Sequence, residues 1–492
     1  MENVAPDIAD LFKTYQNLSP ERIEMLPPSG SDRTYFRIYS NHKTFIATYN
    51  QNVKENKVFI YFSRHFKTMG LPVPEIYSTN EEGTIYIQQD LGTESLLNQL
   101  EKKGHTDEVY DLFRKSLSAL AEIQIRGDQC LNYEKCLTGK EFGKQAIMSD
   151  LLYFKYYFLD TLHLSYDKEA ILDDFEALSS YLTKTEFKYF MFRDFQSRNI
   201  IINEGEVHFI DYQGGMKGAL QYDVASLLWQ AKANLSEEWK DDLLTYYLDE
   251  VDRLLQINLD RITFISQYNG YVLIRLLQVM GAYGFRGLFE RKAHFLSSIP
   301  LALRNLQFFL ENKRIGIIVP EFDRVLKLMT NDAMIEHFTA PQADENTALQ
   351  VEINSFSYRV GIPEGDGENG GGFVFDMRGI LNPGRFEEYK YLCGNDKSVM
   401  DFLEQRTRMN EFLNSAWDMI DISVEDYLNR GFSYLLINFG CTGGQHRSVF
   451  ASEQTARHLR NKYNVKTVLN HLNEQNWMKD PKIDSKLISP TL

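Results

Sequence analysis

Apolar positions along this chain change their period several times, and each change marks a different kind of structure. Residues 33–48 (RTYFRIYSNHKTFIAT) and 84–89 (TIYIQQ) are rich in β-branched and aromatic residues and are bounded by Asn, Gly and Pro, the pattern of strands in a small sheet. Between them KENKVFIYFSRHFKTMG spaces its apolar residues helically and stops at Gly70. A strand, helix, strand lobe is predicted. From about 95 to 185 the period is mostly helical, as in VYDLFRKSLSALAEIQ and SDLLYFKYYFLDTLHL. The texture then shifts in KYFMFRDFQSRNIIINEGEVHFIDYQGG, where two short apolar runs, NIIIN and VHFID, are joined by Glu204-Gly205, a hairpin signal.

Helical spacing returns from 222 to about 336 and gives way to HFTAPQADENTALQ, a polar stretch with Pro341 and no apolar repeat. Beyond it, strand-like runs (QVEINSFSYRV, GGFVFDMRGI, YLLINFG, KTVLNH) alternate with helix-like ones up to about residue 475. The expected architecture is an α+β bilobal domain over 1–337, a linker over 338–350, a smaller α/β domain over 351–480 and a tail over 481–492. A length of 492 residues agrees with more than one core.

Composition narrows the partners. A formal net charge of -15 and a pI near 5.3 repel nucleic-acid backbones and anionic membranes. No apolar run approaches the length of a membrane span, and the first residues, MENVAPDIAD, are acidic where a secretory signal is basic, so a cytoplasmic protein is expected. Of four cysteines, Cys130, Cys136 and Cys393 read as small buried hydrophobes, and Cys441 stands apart.

Two stretches carry chemistry. In Arg193-Asp194-Phe195-Gln196-Ser197-Arg198-Asn199 an Asp precedes an Asn by five residues on a loop, and Asp211 follows at the end of the next hairpin. Phosphoryl transfer uses such a set: a carboxylate (Asp194) accepts the hydroxyl proton, while an amide oxygen (Asn199) and a second carboxylate (Asp211) hold Mg²⁺ against the nucleotide phosphates. Asp223 opens DVASLLWQAKA and has two readings, a helix N-cap or a buried carboxylate bracing the loop. No Gly-x-x-x-x-Gly-Lys-Ser/Thr occurs, so a P-loop nucleotide site has no support.

These segments, with GSDRTYFRI (30–38), LPVPEIYSTNEEGTIYIQQDLGTESL (71–96), FIDYQGGMKGALQYDVASLL (209–228) and IRLLQVMGAYGF (274–285), resemble the aminoglycoside phosphotransferase (choline kinase-like) superfamily. Within it they are similar to the AmgK type of anomeric amino-sugar kinase. The resemblance implies a protein-kinase-like fold, ATP and Mg²⁺ as cofactors, and an amino sugar such as N-acetylmuramate or N-acetylglucosamine as substrate. It also implies adenine pairing along Gln88, Gln89 and Asp90. The strand Thr44-Phe45-Ile46-Ala47-Thr48-Tyr49 lacks the lysine of kinase-like folds, and Arg33 and Arg37 are the nearest cations that could reach a triphosphate.

The second stretch is Cys441-Thr442-Gly443-Gly444-Gln445-His446-Arg447-Ser448, between a strand-like run and a helix. Its glycines let backbone N–H groups converge, the helix start adds a positive dipole end, and Arg447 and His446 add charge, so a phosphate-bearing ligand is expected. The same residues fit the C-x5-R-S/T spacing of cysteine phosphatases, with Asp376 as candidate acid beside Arg378 in FVFDMR; binding is the favoured reading. With SFSYRVGIP (355–363), FVFDMRGILNPGR (373–385) and GNDKSVMDFL (394–403), this region resembles the C-terminal domain of the RapZ family. That likeness implies an amino-sugar phosphate as ligand, small RNA as a partner and assembly into homo-oligomers. RNA is the less favoured partner, because the only local basic face carries Arg457, His458, Arg460 and Lys462 on a helix.

Overall fold

The computed structural model describes residues 4–26, 33–290, 293–296, 298–364 and 372–478. Gly30, Ser31 and Asp32 and the tail 481–492 lie outside the described residues. The chain divides into two compact units, Met1–Phe285 with Leu301–Asn331, and Arg286–Pro300 with Asp332–Leu492.

In the first unit, strands β1 (Arg22–Met25), β2 (Thr34–Ser40), β3 (Lys43–Tyr49), β4 (Ile76–Thr79) and β5 (Ile85–Gln89) form an antiparallel sheet in the order β1-β2-β3-β5-β4. The alternation of β3 explains how it is covered. Phe45 and Ala47 join Ile8 and Phe12 of the helix Ala5–Gln16 in one apolar cluster. The buried Thr48 contacts the Gln88 side chain of β5, whose Tyr86 packs on Phe59 of the helix Val53–Thr68. The helix Ala5–Gln16 lies outside the predicted elements although Ile8, Leu11, Phe12 and Tyr15 have helical spacing, whereas the short edge strands β1 and β4 carry too little periodicity to be read from the sequence.

Below the sheet the helices Leu96–Lys103, Asp107–Ile125, Lys144–Tyr157 and Lys168–Leu182 fill the region expected to be helical. Two hairpin-like pairs follow, β6 (Lys188–Met191) with β9 (Met216–Ala219), and β7 (Ile200–Asn203) with β8 (Glu206–Phe209). Glu204 and Gly205 both have positive φ, 53° and 81°, as a tight two-residue turn requires.

Two expectations are corrected here. Among the described residues one helix, Arg261–Phe289, is long and apolar enough to cross a membrane. Gln267, Asn269 and Arg275 interrupt it, and all three are buried and hydrogen-bonded to other parts of the first unit, as in the core helix of a folded domain. Of the cysteines, Cys130 is exposed and Cys393 only half-buried, because both lie in turns and not on an apolar face.

The second unit is built on an all-parallel sheet in the order β11-β12-β10-β13, with β10 Gln350–Ser357, β11 Gly372–Asp376, β12 Tyr434–Cys441 and β13 Lys466–His471. Parallel strands are covered on both faces, and β12 is a nearly unbroken buried run. The helices Lys397–Arg406, Met409–Arg430 and Arg447–Tyr463 supply the cover. Residues of the expected linker are tied to this unit: Gln342 Nε2 donates to the Lys462 carbonyl at 2.7 Å and the Ala343 N–H to that of Tyr463 at 2.8 Å. Ala343 and Leu349 accordingly belong to its core.

Candidate functional site

The loop after β6 is held in a conformation that ordinary residues avoid. Arg193 has φ 78°, and such backbone strain persists only where the surroundings over-determine it. Asp223 does so. Its buried carboxylate accepts the N–H of Phe192 at 2.7 Å, the N–H of Arg193 at 3.0 Å and Gln124 Nε2 at 3.0 Å. The helix Leu220–Leu228 is preceded by Ala219 and has no side-chain cap, so the bracing geometry, and not the cap, describes Asp223. Burial raises its pKa to about 7, with the three donors and Arg275 pulling the other way. The Arg193 side chain is locked too: Nη2 pairs with Asp150 at 2.8 Å and the guanidinium lies 4.4 Å over the Phe142 ring.

This brace presents Asp194. Its side chain is 34% exposed and receives hydrogen bonds from Gln196 Nε2, from Arg198 Nη2 at 3.4 Å and from Arg275 Nη2 at 3.4 Å. Asn199 Nδ2 donates to the Asp194 carbonyl at 2.9 Å. The Ile210 N–H donates to the Asn199 carbonyl at 3.1 Å, which brings Asp211 beside the same loop. Asp211 has φ 68°, a region that Asp tolerates, and its side chain is 38% exposed.

In the second unit β12 ends in the buried Cys441, and the Cys441–Ser448 segment turns into the helix Arg447–Tyr463. Gly444 has φ 68°, and a Cβ there would lie 3.2 Å from the Ser357 nitrogen, so glycine is required. The Gly444 N–H and Ser448 Oγ each lie 3.2 Å from Cys441 Sγ. Burial pushes that thiol up, but these bonds and the nearby Arg447 outweigh it and hold the pKa below the usual value. Arg447 Nη1 is engaged by the carbonyls of Ile380 at 2.6 Å and Arg378 at 3.2 Å, and Nη2 lies 3.3 Å from Thr442 Oγ1.

His446 departs from expectation, since it adds no charge. Burial lowers its pKa below the ordinary value, and its Nε2 meets the Tyr389 carbonyl at 2.9 Å. Asp376 departs as well. Arg378 clamps its carboxylate at 2.6 Å and holds it below the usual range, so it is ionised near neutrality and has no proton to donate as a general acid. Only Thr442 and Gly443 of the loop reach the surface appreciably.

Residues 24–257 match the phosphotransferase enzyme family, and residues 349–474 match the RapZ C-terminal domain. The chain joins a phosphotransferase-family domain to a RapZ C-terminal domain. A nucleotide-binding protein of Glaesserella parasuis is 32% identical over 179 residues, 35% of this chain and 59% of that protein. One of Shewanella halifaxensis is 38% identical over 113 residues, 23% of this chain and 38% of that protein. The chain thus spans between about two-fifths and three-fifths of the length of these curated relatives. Among solved structures, a choline kinase from Cryptosporidium parvum aligns with TM-score 0.45 and 14% identity, over 65% of this chain and 99% of that one. Amicoumacin kinase hAmiN in complex with AMP-PNP, Ca²⁺ and Ami aligns with TM-score 0.44 and 11% identity, over 65% and 97%.

The phosphotransferase-family domain has the kinase-like α+β fold, and the RapZ C-terminal domain is the separate parallel α/β unit. In the former, the two candidate cations diverge. Arg33 is buried and reaches Glu55 Oε1 at 2.6 Å and Asp211 Oδ1 at 3.4 Å. Burial alone would lower its pKa, but Tyr86, Tyr35 and Glu55 raise it above the ordinary value, so it stays charged. Arg37 instead forms a two-pronged pair with Asp90, at 2.7 and 3.2 Å, and both groups are occupied by each other.

Gln88 is buried beside Thr48, and the Gln89 N–H is taken by the Glu75 carbonyl at 2.9 Å. Sequence reasoning missed Glu55, Asp150 and Arg275. The first has a local signal in the Asn52-x-x-Glu55 helix start, where Asn52 Oδ1 accepts the Glu55 N–H; the other two have none.

Proposed function

We propose that the phosphotransferase-family domain transfers phosphate from ATP to a sugar hydroxyl, specifically the anomeric hydroxyl of an N-acetylated amino sugar such as N-acetylmuramate or N-acetylglucosamine. The RapZ C-terminal domain binds an amino-sugar phosphate. The observation that carries the reading is the gathering of Asp194, Asn199 and Asp211 on one braced loop and hairpin, with the two carboxylates about one-third exposed. The amino-sugar class is supported by the likeness of both ends of the chain to proteins of amino-sugar metabolism.

Asp194 accepts the proton of the sugar hydroxyl as its oxygen attacks the γ-phosphorus; the bond to the bridging oxygen breaks and ADP leaves. Arg275 and Arg198, each 3.4 Å from that carboxylate, orient it for the proton. A divalent cation fits the donor set. Asn199 points its Nδ2 at Asp194, which turns its Oδ1 the other way, and Asp211 offers a partly exposed carboxylate.

Among the described residues no group of three or more His, Cys, Asp or Glu is placed to hold a metal ion. When bound, Mg²⁺ supplies charge neutralisation across the nucleotide phosphates. The same reading places the protein in the cytoplasm and leaves assembly through the RapZ C-terminal domain as part of the proposal.

RNA is disfavoured as partner. His458 stacks on Trp417 at 4.5 Å and pairs with Asp421 at 2.8 Å, and Lys462 reaches the same carboxylate at 2.8 Å. His458 and Lys462 are thus both tied to Asp421 within the domain, which leaves Arg457 and Arg460 for a polyanion. The test is ADP release with Mg²⁺-ATP across N-acetylmuramate, N-acetylglucosamine, glucosamine and an aminoglycoside. Stimulation by an N-acetylated amino sugar is the expected result; a rate unchanged by every sugar contradicts the reading.

A further inference from the structure

The strand that carries the nucleotide-pairing lysine in kinases, where that lysine is ion-paired to a glutamate of the following helix, has no lysine in this chain's cleft. The only lysine of β3 is Lys43, exposed at the turn where β3 pairs with Ser40. Thr48 occupies the buried position facing the helix Val53–Thr68: by register it lies between Tyr35 of β2 and Tyr86 of β5, and Tyr86 packs on Phe59 of that helix.

The missing charge enters from the neighbouring strand. Arg33 directly precedes Thr34, whose register partner is Tyr49, so the guanidinium arrives beside the end of β3. It meets Glu55, in the first turn of the helix, at 2.6 Å and Asp211 at 3.4 Å. Glu55 is anchored in turn, because Asn50 Nδ2 donates to its second oxygen at 3.0 Å. The Arg33 side chain is only 4% exposed, and its Nε has no hydrogen-bond partner among the described residues. A buried donor left unpaired is costly unless a ligand uses it.

We propose that Arg33, held by Glu55, replaces the strand lysine and positions the nucleotide phosphates beside Asp211, so that the ion pair has migrated from β3 to the start of β2. This rests on the kinase reading above. Its test is calorimetric binding of AMP-PNP with Mg²⁺, alongside the kcat and KM for ATP, on the full-length protein and its variants.

Arg33→Met is expected to weaken AMP-PNP binding tenfold or more and to raise KM for ATP. Glu55→Gln is expected to lower kcat with a smaller change in binding, since the guanidinium stays but loses its anchor. Adding Thr48→Lys to Arg33→Met is expected to recover at least threefold in affinity, a rescue that a merely structural arginine would not show. If Arg33→Met does not fold, Glu55→Gln decides, and unchanged kcat and KM in that variant overturn the proposal. Wild-type affinity in Arg33→Met overturns it and leaves the kinase reading standing. Failure of the wild-type protein to bind AMP-PNP at all overturns the kinase reading itself.

Discussion

Both candidate sites of this chain lie where a strand gives way to a loop, but they hold their polar groups in opposite ways. In the phosphotransferase-family domain the carboxylates of Asp194 and Asp211 are 34% and 38% exposed, while the group that shapes the loop, Asp223, is buried behind them. In the RapZ C-terminal domain the conspicuous residues, Cys441 and Arg447, are each 3% exposed, the first bonded within its own loop and the second to the carbonyl of Ile380. The first site separates support from chemistry. In the second the charged residue is itself the support, pinning the carbonyls of Arg378 and Ile380, and the part of the loop that reaches the surface is Thr442 and Gly443. That contrast teaches that a loop rich in reactive residue types can bury them in its own support, whereas another leaves its carboxylates at the surface.

The largest effect that would break the comparison is expected at Asp194. Asp194→Asn should lower sugar-dependent turnover by about 10²–10⁴-fold, the usual contribution of a positioned base, with the melting temperature unchanged. Retained turnover would remove the distinction between the two loops.

Next in size is the brace. Asp223→Ala leaves the buried N–H groups of Phe192 and Arg193 and the Gln124 amide without their acceptor, at a cost of about 2–5 kcal/mol in urea unfolding, with turnover falling as well. A loss below about 1 kcal/mol would show that the loop does not depend on it.

In the other domain Arg447→Met should weaken binding of glucosamine 6-phosphate by about 10–100-fold, because it releases the segment that frames the loop, while turnover at the first site is unaffected. Equal affinity in the variant would separate that arginine from the ligand site.

The last effect is a pH dependence. The Asp223 carboxyl titrates near 7 in the fold against an ordinary value of 3.8, so the folded state keeps a proton that the unfolded chain has lost. Its contribution to stability is therefore full below about pH 4 and declines as pH rises through 7, by at most about 1.4 kcal/mol per pH unit. Asp223→Asn should flatten that slope in unfolding curves recorded from pH 4 to 8; an unaltered slope would assign it to other groups.

Much of this was legible in the sequence because it depends on neighbours along the chain. The Asp194-to-Asn199 spacing, the Glu204-Gly205 turn and the strand-loop-helix order around Cys441 are local, and the structure shows each as a loop, turn or terminus where the pattern put it. What escaped depends on groups brought together by packing. Arg193 meets Asp150 from a helix that the sequence marks only as apolar, and Arg275 reaches Asp194 from the middle of a buried helix.

Asp223 sat between two readings because either suits an Asp near a helix start; only its distance to the Phe192 and Arg193 amides separates them. His446 looked cationic because burial, which decides its protonation, has no signature in the residues around it.

The most direct test of the account is phosphorus NMR of the product formed from Mg²⁺-ATP and N-acetylmuramate or N-acetylglucosamine. The account predicts a sugar phosphate whose phosphorus couples to the anomeric proton. Phosphate on another hydroxyl would contradict the anomeric assignment, and intact ATP with no sugar phosphate from either substrate would contradict the kinase itself.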